Sequence, residues 1–263
     1  MTKLVLYETR QRIAYITLNR PDARNALDDG LNHALAEAWV RFSEDSDADV
    51  AILSANGKAF SAGADLQSFI PRWERASSAD LRNNAREGLG GGITRGRHRL
   101  YKPIIAALHG YAVGAGFELA LACDIRIASD DAVLGVFEVK VGLHQGDGGI
   151  VRLVNIAGVG VALDLTLTGR PVPAEEALRL GLVSRIVPRA ELLEVAEDVA
   201  KSIIGNSQFA VRSAKETIMD VVGRQLDDAL HLEALHGYSS YGDFNVVKSR
   251  IAQLKASSTR SRD

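Results

Sequence analysis

Two loops of small residues, each set between an apolar strand and a helix, most narrow what this chain can become. The first runs Gly57-Lys58-Ala59-Phe60-Ser61-Ala62-Gly63-Ala64-Asp65 and the second Gly110-Tyr111-Ala112-Val113-Gly114-Ala115-Gly116-Phe117-Glu118. Small side chains let another group approach the backbone closely, and a helix N-terminus offers N–H groups with no intrahelical partner at the positive end of its dipole. Two such loops facing each other would aim one N–H each at a single developing oxyanion. Losing one donor of that kind costs about 2.7–4 kcal/mol of transition-state stabilisation. A plainer reading, tight turns that allow close helix packing, fits either loop alone. The second loop is not a dinucleotide-binding fingerprint, because Leu119 stands where a third glycine is needed.

The rest of the chain reads as strands alternating with helices. Strands are expected over residues 3–8, 12–18, 50–54, 104–108, 124–128 and 132–135. Asp28 opens a helix whose apolar stripe is Leu31, Leu35, Ala38, Trp39 and Phe42. Residues 66–100 read as helical but interrupted, with Pro71 and the glycines at 88, 90, 91 and 92 predicting a break or a mobile loop. Helices are expected to include residues 118–122 and to cover 146–157, 159–167, 174–180, 191–204, 207–222 and 225–236, with a frayed tail over 257–263. Alternation of this kind implies an α/β fold with crossover connections. Strand signals stop near residue 190, which divides the chain into a core over 1–190 and a helical region over 191–263.

Composition excludes several classes. The 263 residues are 46% hydrophobic and 24% charged, enough for a sizeable core, and the net charge of −2 supplies no global attraction to nucleic acid or an anionic membrane. No uninterrupted run of about 18 apolar residues exists, so no membrane span is expected, and no signal-peptide pattern opens the chain. Cys123, the single cysteine, lies in the apolar stretch LALACDI, which points to a buried thiol and a reducing, cytoplasmic setting. No His/Cys cluster has metal-ligand spacing, so neither metal nor separate cofactor is expected.

Two carboxylates stand out. Glu118 closes the second small-residue loop, and Glu138 follows twenty residues later in Gly135-Val136-Phe137-Glu138. A carboxylate within an apolar stretch is costly unless paired or functional. Two carboxyls sharing a dry pocket push each other's pKa values apart, so that one gives a proton while the other takes one.

The segments KAFSAGADL, GYAVGAGFELALACDIRIAS and GLVSRIVP, with NRPDARNALD near the N-terminus, resemble the enoyl-CoA hydratase/isomerase (crotonase) superfamily from about residue 4 to residue 220. The resemblance implies an α/β, crotonase-like (ClpP/crotonase) spiral of ββα units, a helical C-terminal trimerisation region, and a homotrimer or dimer of trimers. It implies an acyl-CoA thioester as substrate, the coenzyme A being part of that substrate. By motif position, the backbone N–H groups of Ala64 and Ala115 would be the oxyanion donors, Ala115 standing where many members have glycine. Glu118 and Glu138 would be the catalytic pair of a hydratase. Arg24, Ala26, Ala62, Gly63, Asp65, Leu66 and Gly114 would line the path of the CoA portion, and residues 67–100 the acyl pocket. The implied reaction is addition of water to a 2-enoyl-CoA, with Glu118 as base and Glu138 as acid. An enoyl- or dienoyl-CoA isomerase, a hydrolase using Asp147, and a non-catalytic acyl-CoA-binding protein are the alternatives.

The chain departs from the family in one informative loop. Where hydratases usually carry Gly-x-x-Pro-Gly-Ala-Gly-Gly, it reads Gly142-Leu143-His144-Gln145-Gly146-Asp147-Gly148-Gly149. Gln145 replaces proline and Asp147 replaces alanine. Asp147 is thus a possible additional acid, or a cap for the helix that follows. The C-terminal segment around Asp243–Lys248 also departs. The basic cluster Arg95-Gly96-Arg97-His98-Arg99 reads as a solvated helix face or a meeting point for CoA phosphates. Ser61 lacks the G-x-S-x-G surroundings of a serine hydrolase nucleophile.

Overall fold

The structure is a computed structural model that describes residues 3–96, 99–239, 244 and 246–252. Arg97, His98, most of the segment 240–245 and the tail beyond 252 lie outside the described residues. The chain divides into two compact units, Met1–Gly205 and Asn206–Asp263.

Three strands of the first unit, Ile13–Leu18, Val50–Ala55 and Ile104–Leu108, are buried on both faces over most of their length, as parallel strands covered on both sides are. A six-stranded sheet has the order β1 (Val5–Arg10), β2 (Ile13–Leu18), β3 (Val50–Ala55), β4 (Ile104–Leu108), β6 (Ile125–Ser129) and β9 (Arg185–Val187). Only the β1–β2 hairpin is antiparallel; the remaining pairs are parallel. A second sheet joins β5 (Tyr111–Val113), β7 (Val133–Gly135) and β8 (Val172–Pro173). Each sheet gains a strand as the chain winds, β4 leading into β5 and β6 into β7. This is the spiral of the crotonase fold.

Alternation along the strands divides the interior into two cores. Ala14, Ile16 and Leu18 of β2, Ala51 and Leu53 of β3, and Ile104, Ala106 and Leu108 of β4 face one way. They meet α1 (Asp29–Glu44) and α4 (Ala115–Ala122). The expected stripe of α1 is buried in full, and the Asp28 carboxylate caps its N-terminus by accepting the Leu31 N–H at 2.7 Å. Ile13, Tyr15, Val50, Ile52, Ile105 and Ala107 face the other way, against Leu192, Ala196, Val199 and Ala200 of α7 (Leu192–Ile204). That packing places α7 with the first unit, so the division falls after Gly205 and not near 190.

Residues 66–96 are helical but interrupted, as expected, and the interruption is a packed break, not a mobile loop. After α2 (Leu66–Trp73) and α3 (Ser78–Glu87), residues Gly90–Arg95 form a buried 3-10 turn. Gly91 adopts φ 71°, and a Cβ there would lie 2.5 Å from the Ala36 nitrogen. The glycines thus let this turn seat directly on α1, and Trp39 Nε1 donates to Gly90 O at 2.8 Å. The small-residue loop at 109–116 also contains a strand, β5, which sequence alternation over three residues could not reveal.

The long element α5 (Gly149–Thr168) is long and apolar enough to cross a bilayer by length and composition, although Arg152, Asn155 and Asp164 interrupt it. It is broken at Gly158 (φ 81°, ψ 166°), where two separate helices were expected. Each arm is half the length that a bilayer requires, and Leu153, Ala162 and Leu165 are buried in the protein core. The pair α6 (Ala174–Arg179) and β9 completes the unit.

The second unit contains α8 (Gln208–Val221) and α9 (Leu226–Ser239), close to the expected bounds. Thr217 Oγ1 lies 3.0 Å from His236 Nδ1.

Candidate active site

The two small-residue loops meet. Ser61 and Ala112 form a parallel bridge, with Ser61 N–H donating to Tyr111 O at 3.0 Å and Val113 N–H to Ser61 O at 3.1 Å. Gly63 approaches so closely that a Cβ on it would lie 2.9 Å from Val113 O and 3.4 Å from the Ala115 nitrogen. A Cβ at Gly116 would lie 2.6 Å from Ser61 Oγ. Ala115 is the first residue of α4, so its N–H has no intrahelical acceptor. Among the described residues, neither the Ala64 N–H nor the Ala115 N–H donates to another backbone group.

One residue that sequence reading passed over anchors this junction. Asn25 is fully buried; its side chain accepts the Arg20 N–H at 2.8 Å and donates to Asn56 O at 2.8 Å and Ala59 O at 2.9 Å. Its carbonyl accepts the Ser61 hydroxyl at 2.8 Å. Ser61 is thereby a fixed strut. Arg20 Nη1 also donates to Asp65 Oδ2 at 2.7 Å and Ala26 O at 2.9 Å. The NRPDARNALD segment therefore pins the first loop from behind.

A cavity of about 400 Å³ opens at the junction, lined by Ala62, Gly63, Ala64, Leu66, Gly114, Ala115, Glu118, Glu138 and Asp147 among the residues singled out from sequence. Arg24, Ala26 and Asp65 are not part of its wall. Arg24 O accepts the Ala62 N–H at 2.9 Å, and Asp65 caps α2 while paired with Arg20. Trp73, Leu89, Phe137, Val141 and Leu143 supply apolar wall that sequence reading did not single out residue by residue. Of these, Trp73 and Leu89 fall in the 67–100 stretch expected to form the acyl pocket.

Glu118 projects into this cavity from α4 and is only 2% exposed. Its Oε1 accepts two backbone donors, the N–H groups of Asp147 and Gly149, both at 2.9 Å. Burial pushes its pKa up to about 7, helped by the negative charge of Asp147 and opposed by those two hydrogen bonds. Glu138 enters from a 3-10 turn, Glu138–Val141, that follows β7. Burial raises its pKa too, and its Oε2 is buried without a hydrogen-bond partner. Gly114, at φ 56° and ψ −134°, makes room: a Cβ there would sit 3.2 Å from Glu138 Oε1.

Asp147 does not cap α5, whose N-cap is Gly148 with no side-chain bond. Its Oδ1 instead accepts the Leu89 N–H at 2.8 Å and lies 3.3 Å from Thr94 Oγ1. Arg95 is exposed, as a solvated face requires, and it also braces this loop: its Nη2 donates to Gly146 O, and its Nε lies 3.7 Å from Asp147 Oδ1. These bonds fasten the loop that presents both donors to Glu118.

The enoyl-CoA hydratase/isomerase family model covers residues 8–252. The chain belongs to this family. A probable mitochondrial enoyl-CoA hydratase of Dictyostelium discoideum is 40% identical over 235 residues, 89% of this chain and 82% of that protein. An (E)-benzylidenesuccinyl-CoA hydratase of Thauera aromatica is 37% identical over 96% of this chain and 94% of its own length. The crystal structure of an enoyl-CoA hydratase from Mycobacterium tuberculosis H37Rv superposes with a TM-score of 0.86 at 35% identity, covering 97% of both chains. Within the enoyl-CoA hydratase/isomerase family frame, Cys123 is the buried thiol expected, 3% exposed. In the C-terminal unit, Glu216, Asp220 and His236 bring ligand atoms within 4.8 Å of one another, a cluster that sequence spacing does not show because it joins two helices.

Proposed function

We propose that this protein is an enoyl-CoA hydratase that adds water reversibly to a 2-enoyl-CoA and yields a 3-hydroxyacyl-CoA. The observation that carries this reading is the presence of two acids, buried Glu118 and half-buried Glu138, on the same cavity as the Ala64 and Ala115 amides. The thioester oxygen accepts hydrogen bonds from those two amides, which draws electron density from the conjugated double bond and makes C3 electrophilic. Glu118 is held by two N–H donors that favour its carboxylate form, and an apparent pKa near 7 suits a base working near neutrality. It takes a proton from water as the water oxygen bonds to C3. The electron pair of the double bond moves onto the enolate, and Glu138 returns a proton to C2. Glu138 suits the acid role because burial favours its protonated form.

Single-acid isomerisation leaves one of the two carboxyls without a task, and the relatives at 36–40% identity include enoyl-CoA hydratases. Hydrolysis through Asp147 is disfavoured by the Leu89 and Thr94 donors that already hold its Oδ1. The CoA portion would pass Ala62, Gly63 and Leu66, with Arg24, Ala26 and Asp65 shaping that loop from behind. We further read the chain as a homotrimer or dimer of trimers in the cytoplasm. Exposed Phe209, Ile218, Met219 and Leu226 of the C-terminal unit support assembly through that region. The direct test is loss of the enone absorbance of crotonyl-CoA. Turnover of no enoyl-CoA, with binding retained, would instead identify a non-catalytic acyl-CoA-binding protein.

A further inference from the structure

Gln145 is this chain's own departure from the family loop, and the structure gives it an unusual environment. Its side chain is 5% exposed and lines the cavity beside Glu138. Among the described residues, neither Oε1 nor Nε2 makes a hydrogen bond of ordinary geometry, and Glu138 Oε2 accepts none either. Buried amides are paired in the great majority of cases, and leaving one unpaired costs the desolvation of that group. The amide is also held in place: a Cβ on Gly149 would lie 2.6 Å from Gln145 Nε2, so the glycine at 149 makes the space that this side chain fills. Gly149 in turn donates to Glu118 Oε1. Gln145 therefore stands against the glycine that holds Glu118 and lines the same cavity as Glu138. Its amide lies close enough to Glu138 to favour that residue's charged form, while Glu138 Oε2 stays without a partner of its own. Buried polar atoms with unused hydrogen-bonding capacity on one cavity wall are satisfied by a small hydroxyl-bearing group that contacts them both.

We propose that Gln145 is a third ligand of the oxygen that adds to C3: its amide hydrogen-bonds the reacting water in the forward direction and the 3-hydroxyl of the product in reverse. This rests on the hydratase reading, because only hydration places an oxygen at C3. Proton transfer is unchanged, since Gln145 neither gains nor loses a proton; it orients the oxygen toward C3 while Glu118 accepts the proton.

The test compares the binding of 3-hydroxybutyryl-CoA and butyryl-CoA to wild type and Gln145→Met, a variant of similar length without the amide. Wild type should bind the hydroxy ester several-fold more tightly than the saturated one, and Gln145→Met should reduce that preference about 5-fold, as expected for one hydrogen bond. For crotonyl-CoA, kcat should fall about 10-fold with KM nearly unchanged. An unchanged preference in Gln145→Met, or equal affinity of wild type for the two esters, overturns the inference. The wild-type comparison serves even if the variant fails to fold. Loss of the preference in a protein that hydrates no enoyl-CoA would overturn the hydratase reading and leave the Gln145 contact standing. Hydration with an undiminished preference in the variant would do the reverse.

Discussion

Glu118 Oε1 accepts the N–H of Gly149 at 2.9 Å, a bond that ties α4 to the start of α5. The same oxygen takes the Asp147 N–H, so one end of the carboxylate is spoken for and the other is left for chemistry. Glu118→Gln keeps the shape and the acceptor oxygen but removes the base. It should lower kcat for crotonyl-CoA hydration by about 10²–10⁴ with little change in KM, following the usual size of general-base contributions. Wild-type turnover in Glu118→Gln would remove this residue from the mechanism, and the same assay on Glu138→Gln tests the acid.

The raised pKa of Glu118 carries a stability signature with a definite sign. A folded-state pKa of about 7, above the ordinary 4.5, means that the native state holds the proton more tightly than the unfolded chain. Stability from this group is fully present below about pH 4.5 and is lost as pH rises through about 7. Glu118→Gln abolishes that loss. Its stability relative to wild type should therefore improve between pH 5 and pH 8, by about 3 kcal/mol at most. Denaturant melts of both proteins across that window measure it, and a difference that stays flat with pH contradicts the assignment.

Asp147 supplies a second lever. Its charge raises the Glu118 pKa while its side chain fastens the loop to Leu89 and Thr94. Asp147→Asn keeps an acceptor for the Leu89 N–H and removes the charge. The acid limb of the kcat profile should move to lower pH, with folding retained. A limb that moves up, or not at all, would show that the charge at 147 does not reach Glu118.

Which parts of this molecule were legible in the sequence follows from how far apart the interacting residues lie. The α1 stripe, the break at Gly158 and the composition of the two small-residue loops depend on neighbours within a few turns or on glycine itself, and each could be read locally, whereas the meeting of the loops at Ser61 and Ala112 is long-range. The placement of the acids came from the family motifs. Asn25 was passed over because its partners Asn56 and Ala59 are more than thirty residues away. The Asp147 side chain was read as an additional acid or a cap for the helix beside it, whereas it accepts from Leu89, separated by 58 residues. Gly91 was read as a source of mobility because glycine in sequence gives no sign of whether a wall or solvent will face it.

Gly91 accordingly offers the sharpest test of the packing. Its hypothetical Cβ would meet the Ala36 nitrogen at 2.5 Å and the Leu35 carbonyl carbon at 2.6 Å, backbone atoms that cannot rotate away. Its φ of 71° adds strain for any residue with a side chain. Gly91→Ala should destabilise the protein by about 2–4 kcal/mol, overpacking and strain together. Gly96 has a similar φ of 66° but nothing within 4 Å of its hypothetical Cβ. Gly96→Ala should therefore cost only the conformational part, about 1 kcal/mol. Denaturant midpoints of the two variants separate the seam from the turn: equal losses would mean that Gly91 does not bear on α1. Because the 3-10 turn also carries Thr94, the Gly91 variant should lose hydration activity as well, through the Asp147 loop that orients Glu118.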